Sequence, residues 1–419
     1  MNTSTLFKGR DVADVITQCV DEEMLTVSWV EWLPRFFVAG IMLFLMLLIL
    51  GYLIDSFICH KEEPPTLCYR NSLLSKYLLK KCERLRQPYH PNVFLRNRHI
   101  QTLLSLVIRP IHCRFDRTYL QMKDKGVIAL DWFIGERNRD IAACLNIILI
   151  IPRILGNALS VHGACTEASN LGYSAVVFNR RGQGGSELTT PLVKPYSDHT
   201  DLGQVVAYLK DMFPNATITA ISYGLGSGCL LSYLGEYGSS AKITTAVCIS
   251  PVYDAKEVLR SGIRKPYSWL LLWRLKQILR RHASAFERVL DVQNVCQSND
   301  LLEYDYRISE CNGYSNFDSY WEENNPFRDV DDIATPMLFI NSLDDPVCTK
   351  DTIAFDLFKA YPNFILCLTK YGGHCGFLEN MFQTTSTWAE SLAIQYIRAS
   401  LNFIWHEKRI NLHLNNHRR

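Results

Sequence analysis

The chain is 419 residues long, with 44 Lys and Arg against 42 Asp and Glu and a formal net charge of +2 at pH 7. This near balance, with no long run of one sign, excludes nucleic acid as the main partner, because phosphate binding needs a concentrated basic face. The length suits one large domain with appendages or two modest ones.

Residues 1–35 read as a tail with an acidic patch at Asp21, Glu22 and Glu23. Next comes "FFVAGIMLFLMLLILGYLI", Phe36 to Ile54, 19 residues without a charge between Arg35 and Asp55. At about 1.5 Å per residue this nearly crosses a ~30 Å hydrocarbon layer. A signal peptide fits less well, since an acidic tail precedes the segment and no small-residue cleavage site follows it. The expectation is an uncleaved single-pass anchor over 36–54. Lys8, Arg10 and Arg35 stand on one side and Lys61 and Arg70 on the other, so flanking charge sets no orientation. Sequons at Asn2 and Asn215 matter only if their side of the membrane is luminal.

Residues 55–88 read as a juxtamembrane linker, "KEEPP" followed by "KYLLKKCERLRQ". Lys76, Lys80, Lys81, Arg84 and Arg86 suit anionic headgroups or, equally, a solvated helix face. The 14 cysteines are scattered without a CxxC pair. They read as reduced, buried small hydrophobes rather than a disulfide framework or zinc site, and no metal or organic cofactor is expected.

From residue 89 to 410 strands alternate with helices. "GVIALDWF", "CLNIILIIP", "LGYSAVVFNRRG", "ATITAIS", "ITTAVCIS", "PMLFINS" and "NFILCLTKYGG" are strand-like, and "DHTDLGQVVAYLKDMFP" and "GCLLSYLGEYG" are helical. That alternation predicts an α/β domain with a mostly parallel sheet wrapped by helices. It breaks over about 255–330, where a helical cap insertion is expected. Within it, Arg264 to His282 mixes Trp269, Trp273 and leucines with basic residues. It reads as a membrane-surface lid helix that admits a lipid, or as a plain helix with a basic solvent face. Residues 411–419 form a basic tail.

"ATITAISYGLGSG" is a β-branched strand that breaks into glycines around Ser222. A nucleophile elbow needs a strand, a tight strained turn and an immediate helix, with tiny neighbours two residues either side. Ala220 and Gly224 meet that demand around Ser222. "INSLDDPVC" places Asp344 and Asp345 after a strand, and "TKYGGHCGF" places His374 after the next. A serine hydroxyl needs a base, and the base needs a carboxylate to fix its tautomer. The order Ser222, Asp, His374, each on a loop after a strand, is that of an α/β-hydrolase. Counting from strand to loop leaves Asp344 and Asp345 both open.

The chain from about 89 to 410 resembles the branch of α/β-hydrolases that contains membrane-anchored mammalian lipases and a bacterial esterase-like group. "NRHIQT", Asn97 to Thr102, is similar to that branch's N-terminal signature, and "YGGHCGF" to its histidine motif. "LLSYLGEYGSS", "CISPV", "YWEENNPFRDVDDI" and "DDPVC" resemble one subgroup of it, less clearly enzymatic than its relatives. The resemblance implies a single-pass anchor, a role in lipid metabolism, and Asp345 as the carboxylate of a Ser222–Asp345–His374 triad.

Two features depart from the branch. In "IIPRILGN" Arg153 stands where Pro-Gly is expected, and the elbow carries Tyr223 where a smaller apolar residue is usual. Tyr223 and Ile154 are the expected backbone oxyanion donors; one missing donor costs on the order of 10² to 10³ in rate. His162 with Glu167 falls short of an H-x4-D acyltransferase motif, so acyl transfer is not expected. The reading is a membrane-anchored serine hydrolase of lipid esters, in the endoplasmic reticulum or another endomembrane. The alternative is a weakly active or inactive hydrolase-fold scaffold that regulates lipid metabolism by binding a protein partner.

Overall fold

The computed structural model describes residues 37–51, 54, 63–108, 113–135, 145–287, 289–381 and 386–416. The chain divides into two compact units, Met1–Lys61 and Glu62–Arg419. In the first, residues 37–51 of the expected anchor are helical with exposed apolar side chains. Among the described residues no helix is long and apolar enough to cross a membrane. The tail 1–35 lies outside the described residues.

The second unit has strands β1 (Thr66–Tyr69), β2 (Phe115–Gln121), β3 (Val127–Phe133), β4 (Asn146–Ile151), β5 (Ser174–Asn179), β6 (Thr217–Tyr223), β7 (Ile243–Ile249), β8 (Met337–Ser342) and β9 (Phe364–Thr369). They make one sheet in the order β1-β9-β8-β7-β6-β4-β5-β3-β2. Pairing is parallel from β5 across to β9 and antiparallel at both margins. The continuous apolar run of β4 explains its central place. Ile147, Leu149 and Ile151 enter one core layer and Ile148 and Ile150 the other. A strand covered on both faces needs apolar residues at every position, and each such side chain contributes about 1.5–3 kcal/mol on burial.

Helices α1 (Leu73–Lys81), α2 (Arg98–Val107), α3 (His162–Asn170), α4 (Thr200–Met212) and α5 (Ser227–Tyr237) follow in chain order, and α9 (Trp388–Asn416) closes the described chain. Leu202, Val205 and Leu209 of α4 and Leu230 and Leu234 of α5 cover one face. Leu78 of α1, Ala164 and Ala168 of α3, and Trp388, Leu392 and Tyr396 of α9 cover the other.

The linker expectation for 55–88 fails from Thr66 onward. β1 pairs with β9, Thr66 opposite Leu368 and Tyr69 opposite Ile365, and Leu78, Cys82 and Leu85 are fully buried. Lys76, Lys80 and Lys81 lie on the exposed face of α1, a helix opened by a capping box between Ser72 and Ser75. The folded unit therefore begins before residue 89. Ten described cysteines are free thiols.

The segment between β7 and β8 is helical, with α6 (Tyr267–Arg281), α7 (Leu301–Cys311) and α8 (Phe317–Glu323) its longest elements. Leu272, Leu279, Phe286, Val295, Leu301, Tyr304 and Ile308 form its own core. A further cluster joins Tyr196, Leu225 and Val347 of the loops above the sheet to Val258, Tyr320 and Trp321 of the cap. On α7, burial pushes the Asp305 carboxyl up to about 7, against an opposing pull from the Tyr320 hydroxyl.

Candidate functional site

The β-branched run Thr217, Ile218, Thr219 and Ile221 builds β6, which extends through Ser222 to Tyr223. The turn comes one residue later. Gly224 has φ +52°, the left-handed backbone of a strand-to-helix elbow, and a single 3-10 turn over Gly224–Gly226 leads into α5. Gly226 is required by proximity, because a Cβ there would stand 2.1 Å from the Pro152 carbonyl oxygen. The elbow motif is thus Ser222-Tyr223-Gly224-Leu225-Gly226, and its central position holds glycine.

Ser222 is consequently not the elbow residue. It lies within the sheet, paired with Ile151 on β4 and Cys248 on β7, and is fully buried. Its hydroxyl donates to Ser227 Oγ at 2.9 Å and sits 3.3 Å from Cys248 Sγ. The residue facing the imidazole is Gly224: a Cβ built on it falls 3.0 Å from His374 Nε2 and 3.5 Å from its Cε1. Alternation in the strand turns Ser222 toward the face covered by α5, and the elbow follows two positions later.

Asp345 and His374 do come together. His374 Nδ1 lies 2.9 Å from Asp345 Oδ2, while Asp345 Oδ1 accepts the Val347 and Cys348 amides at 2.7 and 2.8 Å. Asp344 points elsewhere and accepts the Gly373 amide at 2.9 Å, with burial pushing its carboxyl up. Burial pulls the His374 imidazole down, but the Asp345 carboxylate against it outweighs that and holds it well above the ordinary histidine range.

The "NRHIQT" signature explains how the histidine loop is held. Asn97 caps α2 by accepting the His99 and Ile100 amides. Thr102 Oγ1 then accepts the His374 amide at 3.0 Å. Gln101, fully buried, accepts the Leu378 amide at 2.9 Å and donates to the Leu378 carbonyl at 3.0 Å. Sequence reading missed both as positioning residues; they are the two buried residues of α2, whose Leu103 and Val107 are exposed. His99 Nδ1 is 2.8 Å from the Tyr267 hydroxyl at the start of α6, which ties the same helix to the cap.

The oxyanion expectation changes with the elbow. Tyr223 is still strand, opposite Ile249, and its hydroxyl donates to Glu390 Oε1 at 2.9 Å. The residue after the elbow position is Leu225. Ile154 lies in the turn Arg153–Gly156, closed by Gly156 N donating to Arg153 O at 2.8 Å, and packs against the cap cluster. Arg153 turns its guanidinium onto α2, donating to the Ser105 carbonyl at 2.7 Å and its hydroxyl at 3.2 Å. A small cleft of about 40 Å³ lined by Ser105, Arg153, His162, Tyr223, Cys375 and Glu390, among others, lies there. His162 Nδ1 is 3.0 Å from the Leu159 carbonyl, whereas Glu167 accepts from Ser386 at 3.0 Å. Among the described residues no cluster of His, Cys, Asp and Glu could hold a metal ion.

A family model described as serine aminopeptidase, S33, matches residues 144–374. Protein ABHD15 of Homo sapiens is 36% identical over 373 residues, 85% of this chain and 79% of that protein. Phospholipase ABHD3 of Bos taurus is 28% identical, with 84% and 89% covered. Monoacylglycerol lipase ABHD2 of Homo sapiens is 26% identical, with 80% and 85% covered. Among solved structures, the Pyrococcus furiosus esterase Pf2001 aligns at TM-score 0.45 and 14% identity, over 68% of this chain and 93% of that one. The matched span, the strand order and the relatives agree: the chain belongs to the α/β-hydrolases of this serine aminopeptidase S33 family and is related to lipid hydrolases.

Proposed function

We propose that the protein is a membrane-anchored, hydrolase-fold scaffold of lipid metabolism that binds a lipid or ester ligand without forming an acyl-enzyme. One observation carries this reading: the elbow position facing His374 Nε2 is Gly224, while the hydroxyl of Ser222 is fully buried against Ser227. Acyl transfer through serine needs the hydroxyl, base and carboxylate in one line, and here the line lacks its first member. Asp345 then fixes the orientation of the His374 imidazole, whose Nε2 faces the ligand's polar end. The apolar cluster of Leu225, Val252, Val258 and Trp321 packs the cap onto the loops beside this position. Anchoring rests on the uncharged segment 36–54, with an endomembrane as its setting, and a protein partner would read out the bound state.

A second reading has His374 activate water directly, and the retained ion pair with Asp345 favours it.

The test is a fluorophosphonate serine probe applied to detergent-solubilised protein. Wild type is expected to remain unlabelled under conditions that label an active serine hydrolase. Labelling that disappears in Ser222→Ala would sink the scaffold reading.

A further inference from the structure

The outer face of α6 has no counterpart in the site. Its inner face is used, with Leu272 and Leu279 buried in the cap core. Its outer face exposes Trp269 at 59%, Leu270 at 42% and Trp273 at 50%. Trp269 and Trp273 are one helical turn apart and share a face. Lys265 Nζ lies 5.2 Å from the centre of the Trp269 ring, and the Arg274 guanidinium 5.8 Å from that of Trp273. Arg264, Lys265, Arg274, Arg280 and Arg281 are all exposed, and no acidic residue occurs between Glu257 and Glu287. On the helices packed beside it, acidic side chains have local partners. Asp291 caps the short helix Val292–Cys296, Asp300 caps α7, and Glu303 pairs with Arg307.

Exposed indoles are costly in water and are favoured where an apolar body meets a wet rim. An uncompensated row of lysine and arginine around them matches a surface of negative charge that has an apolar layer beneath it. A folded protein partner would supply discrete carboxylates to discrete bases, whereas here the bases rim the indoles, the arrangement of an interfacial helix.

We infer that the outer face of α6 is a docking surface for an anionic phospholipid bilayer, with Trp269, Leu270 and Trp273 entering the headgroup boundary and the flanking basic residues contacting lipid phosphates and carboxylates. This surface is separate from segment 36–54 and does not depend on whether the site turns over.

The full chain is reconstituted into nanodiscs of phosphatidylcholine alone or mixed with phosphatidylserine, each prepared with and without brominated acyl chains. Tryptophan quenching by bromine is then compared between wild type, Trp269→Phe/Trp273→Phe, and Lys265→Gln/Arg274→Gln/Arg280→Gln/Arg281→Gln. The expected result is extra quenching in anionic discs that weakens as salt rises. The double tryptophan variant loses that extra component, and the charge variant loses it while keeping all eight tryptophans of the chain. Equal quenching in neutral and anionic discs, or an anionic component that survives in the tryptophan variant, would overturn the inference. So would an α6 protected only by an added soluble protein. All substituted side chains are exposed, and an unchanged melting temperature checks that each variant is folded.

Discussion

His374 Nε2 lies 3.0 Å from the point where a side chain on Gly224 would begin. The chain keeps the base and its carboxylate and presents them to a residue with no side chain. A serine placed there would put its oxygen beside the imidazole after a shift of a few tenths of an ångström.

Gly224→Ser is therefore expected to create fluorophosphonate labelling that wild type lacks. Adding His374→Ala in that background should cost on the order of 10² to 10⁴ in labelling rate. A non-glycine residue at φ +52° costs about 1–2 kcal/mol, visible as a lower midpoint in urea. No gain of labelling in a folded Gly224→Ser protein would mean that Arg153 or the cap also blocks the site.

Ser222→Ala is expected to leave any esterase or probe signal unchanged. It removes the hydrogen bond to Ser227 and should lower stability by about 1 kcal/mol. Urea denaturation with the probe assay run in parallel separates a structural serine from a reactive one.

The Asp345–His374 pair makes stability depend on pH. The folded imidazole titrates above its unfolded value, so the pair's contribution is fully present below about 6.5. It is lost as pH rises from there through the folded value. Asp345→Asn should bring the His374 titration, followed by imidazole NMR resonances, down and flatten that part of the stability profile.

Asp305 has the opposite chemical type. Its carboxyl is raised to about 7 in the folded cap, so the folded state favours the protonated form. Stability falls as pH climbs from the unfolded value near 4 toward 7. Hydrogen-exchange protection across α7, corrected for the intrinsic base-catalysed rate, should fall over that window in wild type and stay level in Asp305→Asn.

The sheet, the cap and the Asp345 and His374 loops were legible because each rests on a long periodic pattern or a charged residue after a strand. The elbow misled for a physical reason. Ala220, Ser222, Gly224 and Gly226 are all small, so the spacing x-S-x-G fits at 222 and the glycine spacing fits at 224. Backbone conformation decides, and only the structure carries φ. The early elements failed differently, since "TLCY" is a four-residue strand too short for alternation to register.

β9 is "FILCLT", with all six residues buried, and β1 is the strand that occupies its outer edge. Without β1 that run would present an open row of backbone donors and acceptors on an apolar strand, a template for another chain to pair with. A truncation starting at residue 89 would strip this cover and is expected to aggregate, whereas one starting near residue 63 would keep the edge closed.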